Sequence, residues 1–362
     1  MIVRGPLPNL APMPHAMPSC VNSTIEVGAP DVRVAVIGMG LIGRQRAEAL
    51  RQIEGATLAA TIDPAVPGDV AGGAPHYATL AELPLEDYDA ALIAVPHDRA
   101  HAIATSVLGA GRPVLVEKPL GASGPAARGL ETLAGELSCP SFVGYNYRYL
   151  PAVRELTRCL EKGCLGELRN IDMYVGHGGH PGSAASWKLD PVRAGGGVLL
   201  DPGVHLLDLL LQLLPAGCCT AIEATRGFWP TGIEEDVVAV FRDTRVIATI
   251  RVSHIRWVNT FRVEVLGESG YALATGRGGN YGPMTLRLGQ RWAWTETDTP
   301  SQRESEVEWS YGSVNDSLRD ELADVVRLWR GQQPLEDGVR PATMSEARRV
   351  TELCEQLYRR IA

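Results

Sequence analysis

The feature that most constrains this chain is a glycine pattern set between an apolar run and a helical one. Val32–Ile37 is a β-branched apolar stretch of the kind that forms a strand buried on both faces. It runs into Gly38-Met39-Gly40-Leu41-Ile42-Gly43, and Arg44–Ile53 has helical character. A second strand-like run, Thr57–Ile62, ends at Asp63, 20 residues past the last glycine. Strand, Gly-x-Gly-x-x-Gly, helix, strand and acid in that order describe a dinucleotide-binding βαβ unit. Gly38 permits the tight turn, Gly40 lets backbone approach a pyrophosphate, and Gly43 lets helix and strand pack closely. The helix N-terminus then turns its partial positive charge toward the phosphates. Asp63 can accept hydrogen bonds from an adenosine ribose. No Arg or Lys lies between 63 and 70 to neutralise a 2′-phosphate, so NAD is expected in preference to NADP.

The alternation continues. Ala90–Val95 reads as a strand, His97–Leu108 as a helix, Pro113–Val116 as a strand, Ser123–Leu137 as a helix and Ser141–Gly144 as a strand. Strands alternating with helices predict a Rossmann-type, doubly wound parallel sheet over 31–145, an α/β domain. After Asn146 the grammar changes. Leu150–Lys162 is one amphipathic helix, Leu168–Val175 a strand and Val198–Leu214 a helix. Strand-like runs follow at Asp236–Phe241, Val246–Val252, Phe261–Leu266, Tyr271–Ala274, Met284–Leu288 and Arg291–Thr295. Helices at Asn315–Trp329 and Thr343–Ile361 finish the chain. Clustered strands without intervening helices predict, over 146–362, an α+β domain with a large open, mainly antiparallel sheet. Its last helices are placed to pack back on the first domain. Residues 1–30 hold six prolines and no periodic pattern or continuous apolar segment, and are expected to be a disordered extension rather than a secretory signal.

Composition excludes several function classes. The formal charge is −8, so no basic field invites nucleic acid. No apolar run approaches the ~20 residues of a membrane span. The seven cysteines form no metal spacing and no even framework, which suits free thiols in a reducing cytoplasm. Only three of the 34 basic residues are lysines, Lys118, Lys162 and Lys188, so each lysine carries more information than usual.

Two clusters carry candidate chemistry. Glu117-Lys118-Pro119 stands at the carboxyl end of an expected parallel strand, where open α/β sheets bind ligands. A buried lysine can donate to a substrate oxygen and have its pKa lowered by desolvation. The second cluster is Gly195-Gly-Gly-Val-Leu-Leu-Asp201-Pro-Gly-Val-His205-Leu-Leu-Asp208. On one helix, Asp201 and His205 at i and i+4 share a face, and His205 suits a proton shuttle. Plainer readings stay open. Asp201 before Pro202 also looks like an N-cap, a solitary histidine often serves only the core, and Asp208 reads as structural.

These motifs, together with Gly144-Tyr-Asn-Tyr-Arg148, resemble in order and spacing the Gfo/Idh/MocA oxidoreductases over residues 31–361. The resemblance implies a Rossmann domain followed by a substrate domain whose sheet carries a homodimer or homotetramer interface. It implies Lys118, Asp201 and His205 as catalytic residues. It places Met39, Leu41, Ile42, Pro96, His97, Glu117, Asn146 and Arg148 along the cofactor with the glycines and Asp63. Pro202 departs from the family pattern, where an apolar residue is frequent. The implied reaction is hydride transfer between nicotinamide and a secondary alcohol or ketone of a sugar, cyclitol, amino sugar or nucleotide sugar. For the substrate, Arg148, Tyr174, Trp187 and Lys188 are expected to join Lys118, Asp201 and His205. Residues 176–195, rich in Gly, His and Pro, suit a polyhydroxylated ligand, with Trp187 free to stack on a sugar face. His177 and His180 lack a third ligand at sensible spacing, so no metal is expected. NAD-dependent glycoside hydrolysis, a dehydrogenase of non-sugar substrates and a non-catalytic dinucleotide-binding regulator are the rival readings on the same fold.

Overall fold

The computed structural model describes residues 30–66, 73–121, 123–179, 187–290, 306–335 and 338–361. The proline-rich start, His180 and the strand expected at Arg291–Thr295 lie outside them.

The first domain follows the expected alternation. It runs β1 (Val32–Ile37), α1 (Leu41–Leu50), β2 (Ala56–Ile62), β3 (His76–Tyr77), β4 (Ala90–Ile93), α2 (His97–Gly109), β5 (Val114–Glu117), α3 (Gly124–Glu136) and β6 (Phe142–Gly144). The strands pair in the order β6-β5-β4-β1-β2-β3, all parallel. Val34–Ile37 and the whole of β4 are fully or almost fully buried, as continuous apolar strands must be when helices cover both sheet faces. The order changes direction at β1 and β4, so the crevice beyond their carboxyl ends is the ligand site such sheets build.

The second domain contains α4 (Pro151–Glu161), β7 (Leu168–Gly176), the short α5 (Pro191–Ala194), α6 (Val204–Leu213) and β8–β14. The remaining strands are β8 (Cys218–Thr225), β9 (Asp236–Arg242), β10 (Ile247–Ser253), β11 (Thr260–Gly267), β12 (Gly270–Thr275), β13 (Met284–Gln290) and β14 (Glu306–Gly312). They form an eight-stranded sheet ordered β14-β13-β12-β11-β7-β10-β9-β8. Every pairing is antiparallel except β7 with β10. Buried and half-buried residues alternate along β11 and β12, so only one face is sealed. Helices α4, α6 and α8 (Met344–Ile361) lie against this sheet.

The C-terminal elements tie the domains together. Helix α7 (Ser317–Trp329) packs on α1, and α8 packs on α3 and α6. Between them β15 (Ala342–Thr343) joins the Rossmann sheet beyond β6, antiparallel to it.

One local expectation fails. The helix expected from Val198 begins only at Val204, because Asp201 adopts an extended conformation (φ −149°, ψ 105°) within a widened turn. The peptide bonds before Pro119 and Pro202 are cis. Strands β3, β8, β14 and β15 had no reading of their own. β3 and β15 are two residues each, and β8 and β14 are largely exposed edge strands with no continuous apolar run to mark them.

Candidate active site

The glycine loop is built for a backbone-lined ligand. Gly38 has φ +93°, and a Cβ there would lie 2.5 Å from the Ala94 carbonyl oxygen. A Cβ on Gly43 would lie 1.7 Å from the Gly38 carbonyl oxygen, so only glycine allows α1 to start where it does. Above Gly40, by contrast, nothing lies within 4 Å of a Cβ position. The first two glycine constraints are internal, whereas the third leaves open space at a helix N-terminus. The Asp63 carboxylate accepts the Met39 amide at 2.7 Å through Oδ2 and the Ala65 amide at 2.9 Å through Oδ1. It is thereby fixed at the end of β2 beside the loop. This arrangement fits a dinucleotide: open backbone for the pyrophosphate and an ordered acid for a ribose.

At the end of β5, Lys118 meets Asp201. The Lys118 ammonium bonds Asp201 Oδ1, and Lys188 bonds Oδ2 at 2.5 Å. The extended backbone of Asp201 separates its carboxylate from α6 and delivers it to the lysines. Burial alone would raise the Asp201 carboxyl, but the two ammonium groups outweigh it and hold it well below the usual carboxylate range. Burial lowers Lys118, with Asp201 opposing and Lys188 reinforcing the shift.

His205, on the first turn of α6, completes the cluster. Its ring lies flat on Tyr147, centroids 4.0 Å apart and planes 7° from parallel, with the Tyr145 ring edge-on at 5.8 Å. Its Nδ1 is buried without a hydrogen-bond partner. Burial first, then the Lys118 charge, holds the imidazole well below its usual range, so the ring is neutral. His97, at the start of α2, packs edge-on to Trp187 at 5.0 Å, which brings the long loop against the Rossmann side. Burial and then Lys118 pull His97 down to about 4.

Several expected site residues turn out to be committed elsewhere. Arg148 was assigned to cofactor and substrate, but its guanidinium is buried on Asp208, at 2.8 Å and 2.5 Å, and also reaches Glu346. Asp208 is structural, as read. Asn146 donates to Ser317 Oγ at 2.7 Å. The Glu117 carboxylate is held through Oε1 by Arg46 at 2.7 Å. Tyr174 was assigned to substrate, yet the Arg251 and Arg256 guanidinium groups cover its ring at 5.7 Å and 5.0 Å. In the motif that starts at Gly144, the residues against His205 are Tyr145 and Tyr147 rather than Asn146 and Arg148.

Other contributors carried no legible signal. The Arg277 guanidinium bonds the Tyr147 hydroxyl and lies over the rings of Tyr147 and Tyr281, 4.9 Å and 4.1 Å from their centroids. The glycine-rich turn Gly276–Gly282 presents both Arg277 and Tyr281. A Cβ on Gly276 would meet the Pro283 carbonyl oxygen at 2.0 Å, and one on Gly278 that of Ser313 at 2.5 Å. His254 lies beside Asp201 and is tilted over His177 at 4.5 Å. Among the described residues, no three His, Cys, Asp or Glu side chains are placed to hold a metal. No helix there is long and apolar enough to cross a membrane.

Two family models match the chain. One, described as an oxidoreductase family with an NAD-binding Rossmann fold, matches residues 32–145, and the other, a GFO/IDH/MocA C-terminal domain, matches residues 153–273. An Amycolatopsis mediterranei protein, provisionally named the oxidoreductase subunit of a UDP-kanosamine synthase, is 32% identical over 201 residues, 53% of this chain and 54% of that protein. Levoglucosan dehydrogenase of Pseudarthrobacter phenanthrenivorans is 28% identical over 139 residues, 38% of this chain and 35% of that enzyme. The chain thus matches about half or less of the length of these curated relatives. The solved structure of GenD2 from gentamicin A biosynthesis, in complex with NAD, superposes with a TM-score of 0.71 at 25% identity, over 91% of this chain and 94% of that one.

Proposed function

The chain belongs to the Gfo/Idh/MocA oxidoreductase family, whose Rossmann domain binds a nicotinamide dinucleotide, and from that premise we propose that it interconverts a secondary alcohol and a ketone on a sugar, cyclitol, amino sugar or nucleotide sugar. The observation that carries the reading is the convergence of Lys118, Asp201 and His205 at the carboxyl end of β5. The names of the relatives point the same way, since kanosamine, levoglucosan and gentamicin are all carbohydrate in nature.

Residues of the glycine loop and Asp63 would hold the cofactor, with Pro96 and His97 alongside. The nicotinamide, when bound, supplies the two-electron chemistry as hydride acceptor or donor. NAD is the proposed form, because the Asp63 carboxylate at the end of β2 would repel a 2′-phosphate.

In the oxidative direction the substrate C–H leaves as hydride and the hydroxyl proton passes to the neutral imidazole of His205. Lys118 donates to the same oxygen and stabilises its developing negative charge. Asp201 keeps that ammonium charged and aimed, against the burial that lowers it. Trp187 and Lys188 would meet the sugar from the long loop. The test is nicotinamide absorbance against a panel of inositols, aldoses, nucleotide sugars and aminoglycoside fragments. His205→Ala and Lys118→Ala should each lose ~10²-fold or more in kcat while still binding cofactor. Near-normal turnover in either variant removes the assignment, and tight cofactor binding with no turnover of any substrate favours a regulator.

A further inference from the structure

We infer that Arg277 docks a negative charge on the substrate, so that the sugar handled at this site carries a carboxylate or a phosphate ester. The inference deepens the proposed function and rests on that reading of the site.

The first observation is a missing counter-ion. Arg277 is only half-buried, yet no carboxylate among the described residues lies within ion-pair distance of it. Two other buried arginines show the contrast: Arg46 is clamped by Glu117 and Glu321, and Arg148 by Asp208 and Glu346. A guanidinium presents five N–H donors in a plane. The Tyr147 hydroxyl takes one and the Tyr281 hydroxyl another, and the two rings lie 4.9 Å and 4.1 Å from the group. These contacts hold the group in position and leave the remaining in-plane donors for a ligand. A rigidly held, partly desolvated fork with spare donors is the arrangement that matches carboxylate or phosphate.

The second observation is the sign of the whole site. Two cationic side chains, Lys118 and Lys188, share one carboxylate, Asp201, and Arg277 adds a third positive charge beside Tyr147, the ring that stacks on His205. Glu117 is near but paired with Arg46, a guanidinium it shares with Glu321, whose carboxyl is raised to about 7. Burial and the lysine charges keep His97, His205 and His254 below their usual range, so the imidazoles add no positive charge to be balanced. This excess of positive charge sits in a chain whose formal charge is −8. Arg277 also belongs to the reacting cluster, since it acts on His205 and its hydrogen-bond partner Tyr147 stacks on that ring. An anionic group held by Arg277 would therefore set how the sugar is presented to His205 and Lys118.

Calorimetric titration of the cofactor-loaded protein at fixed ionic strength decides the matter, with glucose, glucuronate and glucose 1-phosphate as probes. At least one anion should bind tenfold or more tightly than glucose, and the two anionic arms separate carboxylate from phosphate recognition. That preference should vanish in Arg277→Gln and survive in part in Arg277→Lys, which keeps the charge should the loss of the stacked guanidinium disturb the turn. Glucose binding as well as both anions, no binding by either anion, or an undiminished preference in a folded Arg277→Gln would each overturn the inference. The two proposals fail separately: His205-dependent turnover of neutral sugars alone would keep the hydride-transfer reading and discard this one. Arg277-dependent anion binding without hydride transfer would do the reverse.

Discussion

Lys188 donates to the Asp201 carboxylate at 2.5 Å, on the oxygen that Lys118 does not use. A loop residue thus sets the charge state of an acid in the reacting cluster. Removing it as Lys188→Met leaves Asp201 with one counter-charge, and its carboxyl rises from its depressed position toward the value burial favours. Activity that needs ionised Asp201 should then fade at higher pH on acidification. The acid limb of the pH–kcat profile moves upward, while Lys118→Ala lowers kcat across the range. An unmoved acid limb would detach Lys188 from the site.

Gly40→Ala separates cofactor binding from folding. Its Cβ meets no protein atom, so the variant should unfold at the wild-type temperature. The same methyl fills the open space above the loop, so NAD affinity should fall roughly tenfold or more, about 1.4 kcal/mol. Gly43→Ala, whose Cβ would sit on the Gly38 carbonyl oxygen, should fail to fold. Fluorescence titration and thermal melts read both.

The buried pair Arg148–Asp208 anchors the turn after β6 to the helix that carries His205. Asp208→Asn removes the nearer charge partner of a buried guanidinium and leaves it only Glu346 at 3.3 Å, so stability should drop by about 3 kcal/mol. Glu48→Gln, which breaks the exposed pair with Arg51, should change stability by no more than about 0.5 kcal/mol. Denaturant melts of the two variants make the comparison.

Glu321, buried on α7 against Arg46, is pushed up to about 7 from an ordinary 4.5, by burial first and with Glu117 adding to it. A carboxyl raised in the folded state favours the protonated form. Its stabilising contribution is therefore full below pH 4.5 and is lost as pH rises through about 7. Wild-type stability should decline across that window, and Glu321→Gln should flatten the decline. An identical slope in the variant would contradict the burial argument.

The Rossmann half was legible because its rules are local. A buried strand, a glycine turn and an acid at the next strand end are all written in adjacent residues, and β1, α1 and β2 appear within a residue or three of their expected bounds. Lys118 falls at the end of β5 as the same local rules expect, whereas the helix drawn through Asp201 does not form, because an i, i+4 spacing cannot report an extended residue before a proline. What stayed hidden depends on contacts across long sequence separations. Arg148 and Asp208 are 60 residues apart, and Arg277 and Tyr147 are 130. Nothing near Arg148 announces that its charge is already spent inside the protein, and nothing near Arg277 announces that its charge is not.

In the proposed reaction Lys118 acts as a compact ammonium on a substrate oxygen. A chain that uses arginine almost everywhere keeps lysine here. The direct test is kcat of Lys118→Arg, read from nicotinamide absorbance on a substrate the wild-type enzyme turns over, with cofactor binding measured in parallel. Cofactor binding should be retained while kcat falls ~10²-fold or more. Turnover near wild type in Lys118→Arg would contradict that role.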